Sequence, residues 1–357
     1  MAEDRYVTYY QVGSGNSSLI SLGGDDFILV DLCESEDGFS VLDHLRNVLP
    51  KQDGGPFLSV LCVTHAHDDH IRGVKELLDE FGVGEIWYPN YDRFQMEEGK
   101  QSDDYKALHK EIDRRRGADS EEPGEVAKDL TAMEELTELC DSSPAEFRVR
   151  VLSPYRKDEQ QPENDINHMS LVLNVEVSGH SFLYAGDSYD RVWTERIIPY
   201  MLEKNEYEDW ASADVLLASH HGSHTFFDSD REQCLKDPKN SEALGYIEPR
   251  WLAVSAATRF PASRDKSGDD PPHYAAYKWY KQHFVDRDLA EEDDEHPDAF
   301  LYTADGHIKF SLTDGDWEVD RDWRPDGGDS GDGDDEDEKG GYTPRTRVGE
   351  HAPRKFG

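Results

Sequence analysis

The segment LCVTHAHDDH, residues 61–70, closes an apolar run with three histidines and two aspartates in six positions. Ionisable groups packed that tightly lower stability unless a bound cation or a reaction makes use of them. Imidazole nitrogens and carboxylate oxygens together suit zinc or a similar divalent ion. His65 and His67 alternate onto one side of an extended backbone, whereas Asp69 and His70, just beyond, turn toward a neighbouring point. Four candidate ligands arranged in this way suit a pair of ions better than one closed structural zinc. Such a pair would acidify a water, polarise a scissile bond and hold the leaving oxygen, so metal-assisted hydrolysis is the expected chemistry.

A cluster of this kind needs a firm backbone on both sides. LSVLCVTH reads as a buried strand, and IRGVKELLDEFG has helical spacing closed by Gly82, so the polar loop lies at the C-terminal end of a strand. Upstream, YVTYYQVG, SSLISLG and FILVDL read as strands and GFSVLDHLRNVL as a helix; GEIWYPN is the next strand. A charged stretch over about 94–147 predicts one or two surface helices inserted over the domain. Strands resume in FRVRVLSP, SLVLNVEVSG, HSFLYAGD, ADVLLASHHGS and RWLAVSAA. Two hairpins are expected, one turning at Ser178-Gly179 and one at Asp305-Gly306. From about residue 325 to 357 the run RPDGGDSGDGDDEDEKGG and the residues after it cannot bury a core and should be disordered, leaving 1–324 as one domain.

His65-x-His67-x-Asp69-His70 resembles the signature of the metallo-β-lactamase superfamily. FILVDL, FLYAGDS and LLASHHGS occur in that superfamily's order, and Asn167 to Leu173 (N-x-x-S-L-V-L), followed by AGD and then SHHGS, is similar to the metallo-hydrolase domain of the DNA-uptake competence protein ComEC. The resemblance implies an α/β fold, an αββα sandwich of two mixed β-sheets flanked by helices. It also implies two divalent metal ions, zinc or manganese. His65 and His67 would hold one, Asp69, His70 and His221 the other, with Asp187 between them and Asp31 supporting the loop. Asp69 would orient the attacking hydroxide and His220 would protonate the leaving group or contact a phosphate. Ser223 and Asn167 are the expected substrate contacts. His168, next to Asn167, and His273, in DDPPHYAAYKWY, are open as additional ligands; if His273 binds metal, His221 moves to substrate contact. His44, His109, His180, His283, His296, His307 and His351 read as non-ligands, and the run Arg114-Arg115-Arg116 as a solvated helix face.

The totals bound the setting. Of 357 residues, 78 are acidic and 38 basic, a formal charge of −40 that would repel polyanions in dilute salt and strain a compact fold by self-repulsion. Molar salt shortens the screening length to about 3 Å, so the acidity fits a salty cytoplasm; the rival reading is an acidic surface for a basic partner. No run is long enough to cross a membrane, and the start lacks signal character. Cys33, Cys62, Cys140 and Cys234 are scattered, with no CxxC pair, so neither disulfides nor a cysteine metal site is expected. Three functions compete: a phosphodiesterase or nuclease, a hydrolase of a small ester, lactone, thioester or phosphoester, and a non-enzymatic metal-binding module. The first has nucleic acid or a small phosphoester as partner and no membrane.

Overall fold

The computed structural model describes residues 5–35, 38–89, 98–117, 125–140, 143–144, 146–155, 166–204, 207–313, 316–325 and 346–348. Its first strands are β1 (Arg5–Tyr9), β2 (Ser18–Leu22), β3 (Phe27–Val30), β4 (Lys51–Gln52), β5 (Gly55–Cys62), β6 (Gly82–Tyr88) and β7 (Val126–Asp129). β1, β2 and β3 pair antiparallel, whereas β3, β5, β6 and β7 run parallel, and β4 is a short antiparallel flap on β5. A second sheet holds β8 (Glu135–Leu136), β9 (Phe147–Ser153), β10 (Val172–Val177), β11 (His180–Tyr184), β12 (Val215–Leu217), β13 (Trp251–Val254) and β14 (Phe300–Tyr302). It is antiparallel from β8 to β11 and parallel from β11 to β14. β15 (His307–Thr313), β16 (Asp316–Trp323) and β17 (Thr346–Val348) return to the first sheet beside β1.

Both sheets are mixed, and the side-chain alternation shows how they are covered. In β3, Ile28 and Val30 join the core shared with Val149, Val151, Leu173 and Val175 of the second sheet. Phe27 and Leu29, on the opposite face, join Val41 and Leu45 of α1 (Val41–Val48) and Val74 and Leu77 of a helix spanning Val74–Glu80. Leu108 and Ile112 of the helix Asp103–Arg116 lie in that same cluster. A strand covered on both faces carries apolar residues throughout, which is why FILV and LSVLCV read as continuous runs. On the far side, Trp193, Ile197 and Met201, with Tyr280 and Phe284 of the helix Tyr274–Asp286, pack into the second sheet's core. The layers are therefore helix, sheet, sheet, helix, the expected αββα order.

Ser178-Gly179 turns a hairpin as expected: both residues have positive φ, and Val177 faces His180 across it. Two other expectations change. Asp305-Gly306 turns no hairpin, since β14 lies in the second sheet and β15 in the first; that turn carries the chain between layers. The charged stretch holds, among its described residues, one long helix, Asp103–Arg116, within the one or two expected, and β7 and β8 after it extend the edges of the two sheets. Arg115 is not solvated. It is buried and donates to the carbonyls of Val83 (3.0 Å) and Gly84 (2.9 Å) and to Glu111, pinning the helix to β6. The acidic tail falls largely on residues 326–345 and 349–357, outside the described residues; Thr346–Val348 pairs with β16. Among the described residues no helix is long and apolar enough to cross a membrane.

Candidate metal centre

Every element of the site leaves a strand at its C-terminal end, where parallel α/β sheets open a crevice. Asp31 lies just past β3, residues 65–70 past β5, Asp187 past β11, His220 and His221 past β12, and Ser255 past β13. The two sheets are joined there directly, with Leu171 N–H donating to Thr64 O at 2.9 Å. Within the second sheet, His220 N–H donates to Gly186 O at 3.0 Å.

Residues far apart in the chain thus converge on two groups. His65, His67 and Asp187 form one, and Asp69, His70 and His221 the other; within each, the ligand atoms lie within 4.8 Å of one another. Asp187 faces both. Its Oδ2 is 3.5 Å from His65 Nε2, and its Oδ1 is 3.3 Å from His70 Nε2. His65 Nε2 and His67 Nδ1 face each other at 3.1 Å, and His221 Nε2 stands 3.3 Å from Asp69 Oδ2.

The outward nitrogens explain why the rings hold these directions. His70 Nδ1–H donates to Asp31 Oδ2 at 2.7 Å, and His221 Nδ1–H to the Ser255 carbonyl at 2.9 Å. Thr64 gives its N–H (2.7 Å) and its hydroxyl (2.8 Å) to Asp31, so its oxygen is left to accept from His65 Nδ1 at 3.3 Å. A histidine that donates outward through one nitrogen presents the other's lone pair inward, as metal-ligating histidines do. His70 Nε2, His221 Nε2 and Asp187 Oδ1 are buried with no hydrogen-bond partner. Orphaned atoms of that kind cost free energy unless something accepts them, and a pair of divalent cations fits this set of nitrogen and oxygen donors.

Charge follows the same pattern. Burial opposes ionisation of Asp187, yet the imidazoles of His70, His65 and His220 hold its carboxyl well below the usual range. Burial likewise opposes a proton on His70, but Asp187 and Asp31 raise it well above the ordinary histidine value. His221 is raised by Asp69 against the same opposition from burial. His67 is pushed down to about 4 by burial and by its neighbour His65.

The backbone is forced where residues of the centre emerge. Asp31 (φ 57°), His220 (φ 48°) and His221 (φ 55°) occupy the left-handed region that side chains disfavour. Gly222 comes next at φ 80°, and a Cβ there would meet Phe260 at 2.8 Å. Ser219 locks this bend, donating to Gly186 O (3.1 Å) or Ser188 O (2.8 Å), on either side of Asp187. Gly15 packs so closely that a Cβ would lie 2.7 Å from Asp69 O, and the next residue, Asn16, donates its N–H to that carbonyl at 3.0 Å.

The remaining candidates stand differently. His220 Nε2 is 3.6 Å from Asp187 Oδ2. The Ser223 hydroxyl oxygen caps a turn by accepting from Thr225 N–H and Oγ1–H at 3.3 and 3.1 Å, so its geometry is that of a brace. Asn167 is buried and donates to Tyr189 Oη at 3.0 Å; His168 sets its ring edge-on to Tyr189, 5.0 Å away, and belongs to neither group. His273 Nδ1 accepts from His224 N–H (3.2 Å) and its Nε2–H donates to Asp269 O (2.9 Å), so both nitrogens are spent on the loop. Sequence reading missed Tyr189, Thr225 and Ser255. Ser255 in particular gave no signal: its carbonyl aims His221 while its hydroxyl donates to Gly15 O at 2.7 Å.

Residues 10–139 match the family model described as Metallo-beta-lactamase superfamily. No curated protein matches the chain. Among solved structures, it is similar to a proposed metal-dependent hydrolase from Parabacteroides distasonis ATCC 8503, at 14% identity and a TM-score of 0.35 over 71% of this chain and 86% of that one. It is also similar to a protein of unknown function from Enterococcus faecalis V583, at 12% identity and a TM-score of 0.30, covering 60% of this chain and 49% of that one. The family match contains Asp31 and the whole 65–70 loop, whereas Asp187, His220 and His221 lie beyond the matched residues and reach the same centre through the fold.

Proposed function

We propose that this chain is a metal-dependent hydrolase that cleaves phosphodiesters, with nucleic acid or a small phosphoester as substrate and no membrane partner. The observation that carries the reading is Asp187, whose two oxygens face separate ligand groups at 3.5 and 3.3 Å. Two divalent cations held there, zinc or manganese, would acidify a water and polarise the scissile bond on both its attacking and leaving sides. Asp69 is the group's carboxylate nearest solvent, with a side chain 36% exposed against 2% for Asp187, which suits it to orient the attacking water. The phosphodiester preference draws on the likeness of N-x-x-S-L-V-L and SHHGS to the ComEC metallo-hydrolase domain. Cys33, Cys62, Cys140 and Cys234 form no disulfide with one another, which suits a reducing compartment, and the cytoplasm is the setting proposed for the reaction.

One observation favours the narrower reading of a small ester or phosphoester: a net charge of −40 opposes the approach of a polyanion. The test is cleavage of single- and double-stranded DNA, RNA, bis-p-nitrophenyl phosphate and p-nitrophenyl acetate by wild type and Asp69→Ala, with zinc or manganese, in molar KCl. Phosphodiester cleavage by wild type that Asp69→Ala abolishes is the expected result. Turnover of the carboxylic ester alone would overturn the phosphodiester reading, and turnover of nothing by a metal-loaded protein would leave a binding module.

A further inference from the structure

The two ligand groups are unequal. With Asp187 shared, Asp69, His70 and His221 give one site four protein groups, while His65 and His67 give the other only three. Zinc in a protein is most often four-coordinate, so one site lacks a partner that the other has. Near the deficient site Asn167 and His168 both turn to Tyr189, and His273 has both ring nitrogens engaged elsewhere.

His220 remains, and it is wired like a ligand. Thr225 gives its hydroxyl hydrogen to Ser223 Oγ, so its oxygen accepts from His220 Nδ1 at 3.1 Å and leaves Nε2 as the bare nitrogen. That Nε2 points at Asp187 Oδ2, the same oxygen that faces His65, at 3.6 Å against 3.5 Å. His65, His70 and His221 are anchored in the same way, outward through Nδ1 and inward through Nε2. The left-handed backbone at His220 is what brings two consecutive histidines to bear on opposite groups, a strained arrangement that needs a use.

We propose that His220 is a metal ligand, the fourth protein group of the His65–His67–Asp187 site, rather than a proton donor to the leaving group. This rests on the dinuclear reading of the centre. The test is zinc stoichiometry and affinity, by equilibrium competition with a chromophoric chelator, for the full chain as wild type, His220→Ala and His168→Ala. Circular dichroism of the metal-free proteins serves as the check on folding. Wild type and His168→Ala should bind two equivalents, and His220→Ala should keep one while the other weakens at least 10-fold. Two equivalents of wild-type affinity in a folded His220→Ala, with or without lost turnover, would overturn the proposal. So would loss of an equivalent from His168→Ala alone. Fewer than two equivalents in wild type would instead remove the dinuclear reading itself. If His220→Ala does not fold, His220→Gln, which keeps a polar side chain of similar reach, decides by the same count.

Discussion

Replacing Asp31 by Asn tests the support of the site without touching either ligand group. The Asp31 carboxylate accepts three hydrogen bonds, from Thr64 N–H, Thr64 Oγ1–H and His70 Nδ1–H, all between 2.7 and 2.8 Å. An amide keeps one acceptor oxygen and sets an NH2 group where two donors now point. Asn tolerates the left-handed backbone at this position, so the substitution isolates the hydrogen bonding. The Thr64 hydroxyl can rotate away. His70 can relieve the clash only by accepting at Nδ1 and carrying its proton on Nε2, which turns a lone pair away from Asp187. Changes of this kind behind a ligating histidine cost about 10–100-fold in metal affinity, or about 1.4–2.8 kcal/mol. The metal-free fold should lose about 2–4 kcal/mol, since hydrogen bonds to a charged group contribute about 1.5–3 kcal/mol each and part is recovered by rotation. Zinc competition gives the first number and urea unfolding in chelator the second. Zinc affinity within twofold of wild type would refute the claim that Asp31 sets the His70 tautomer.

Three further outcomes rest on the same geometry and charge. In metal-free protein the raised values of His70 and His221 contribute stability below about pH 6.5 that is lost as pH climbs through their folded values. The depressed values of Asp69 and Asp187 contribute stability above about pH 4 that is lost on acidification. Zinc must displace the histidine protons, so loading near pH 6 should release protons and affinity should rise toward pH 8; pH-stat titration showing no release would contradict this. With a net charge of −40, thermal stability should rise between 0.1 and 2 M KCl as the screening length falls from about 10 Å to below 3 Å, and a flat melting temperature would count against self-repulsion. Gly15→Ala should cost about 1–3 kcal/mol in urea unfolding and weaken zinc binding, because its Cβ would press on Asp69 O and on Cys33. Adding Cys33→Ala should not restore zinc affinity, since the Asp69 contact is backbone; full restoration would place the effect in the core instead.

Much of this was written along the chain, and the reasons are local. The 61–70 segment announced its chemistry because imidazole and carboxylate side chains have few cheaper uses beside a buried strand. The apolar runs FILV and VLLA announced buried strands because both their faces are covered. Ser178-Gly179 announced its hairpin because a two-residue turn with positive φ leaves the flanking strands little choice but to pair. Asp305-Gly306 carries a similar turn signal, but a turn sets only the local reversal; which sheet receives the next strand depends on β1 and β13, distant in sequence. Arg115 could not be told from its neighbours Arg114 and Arg116, because its burial depends on where the carbonyls of β6 lie.

Sequence by itself determined the donor types, their order and the strand ends from which they emerge. The division into two groups and the place of Asp187 between them were expected from the motifs and their resemblance, whereas tertiary structure alone decided the retirement of His273 into its own loop, the burial of Arg115 and the aim of His220. Those outcomes depend on directions between atoms joined through two packed sheets, and an imidazole's role comes from what its far nitrogen meets, which no spacing of letters records.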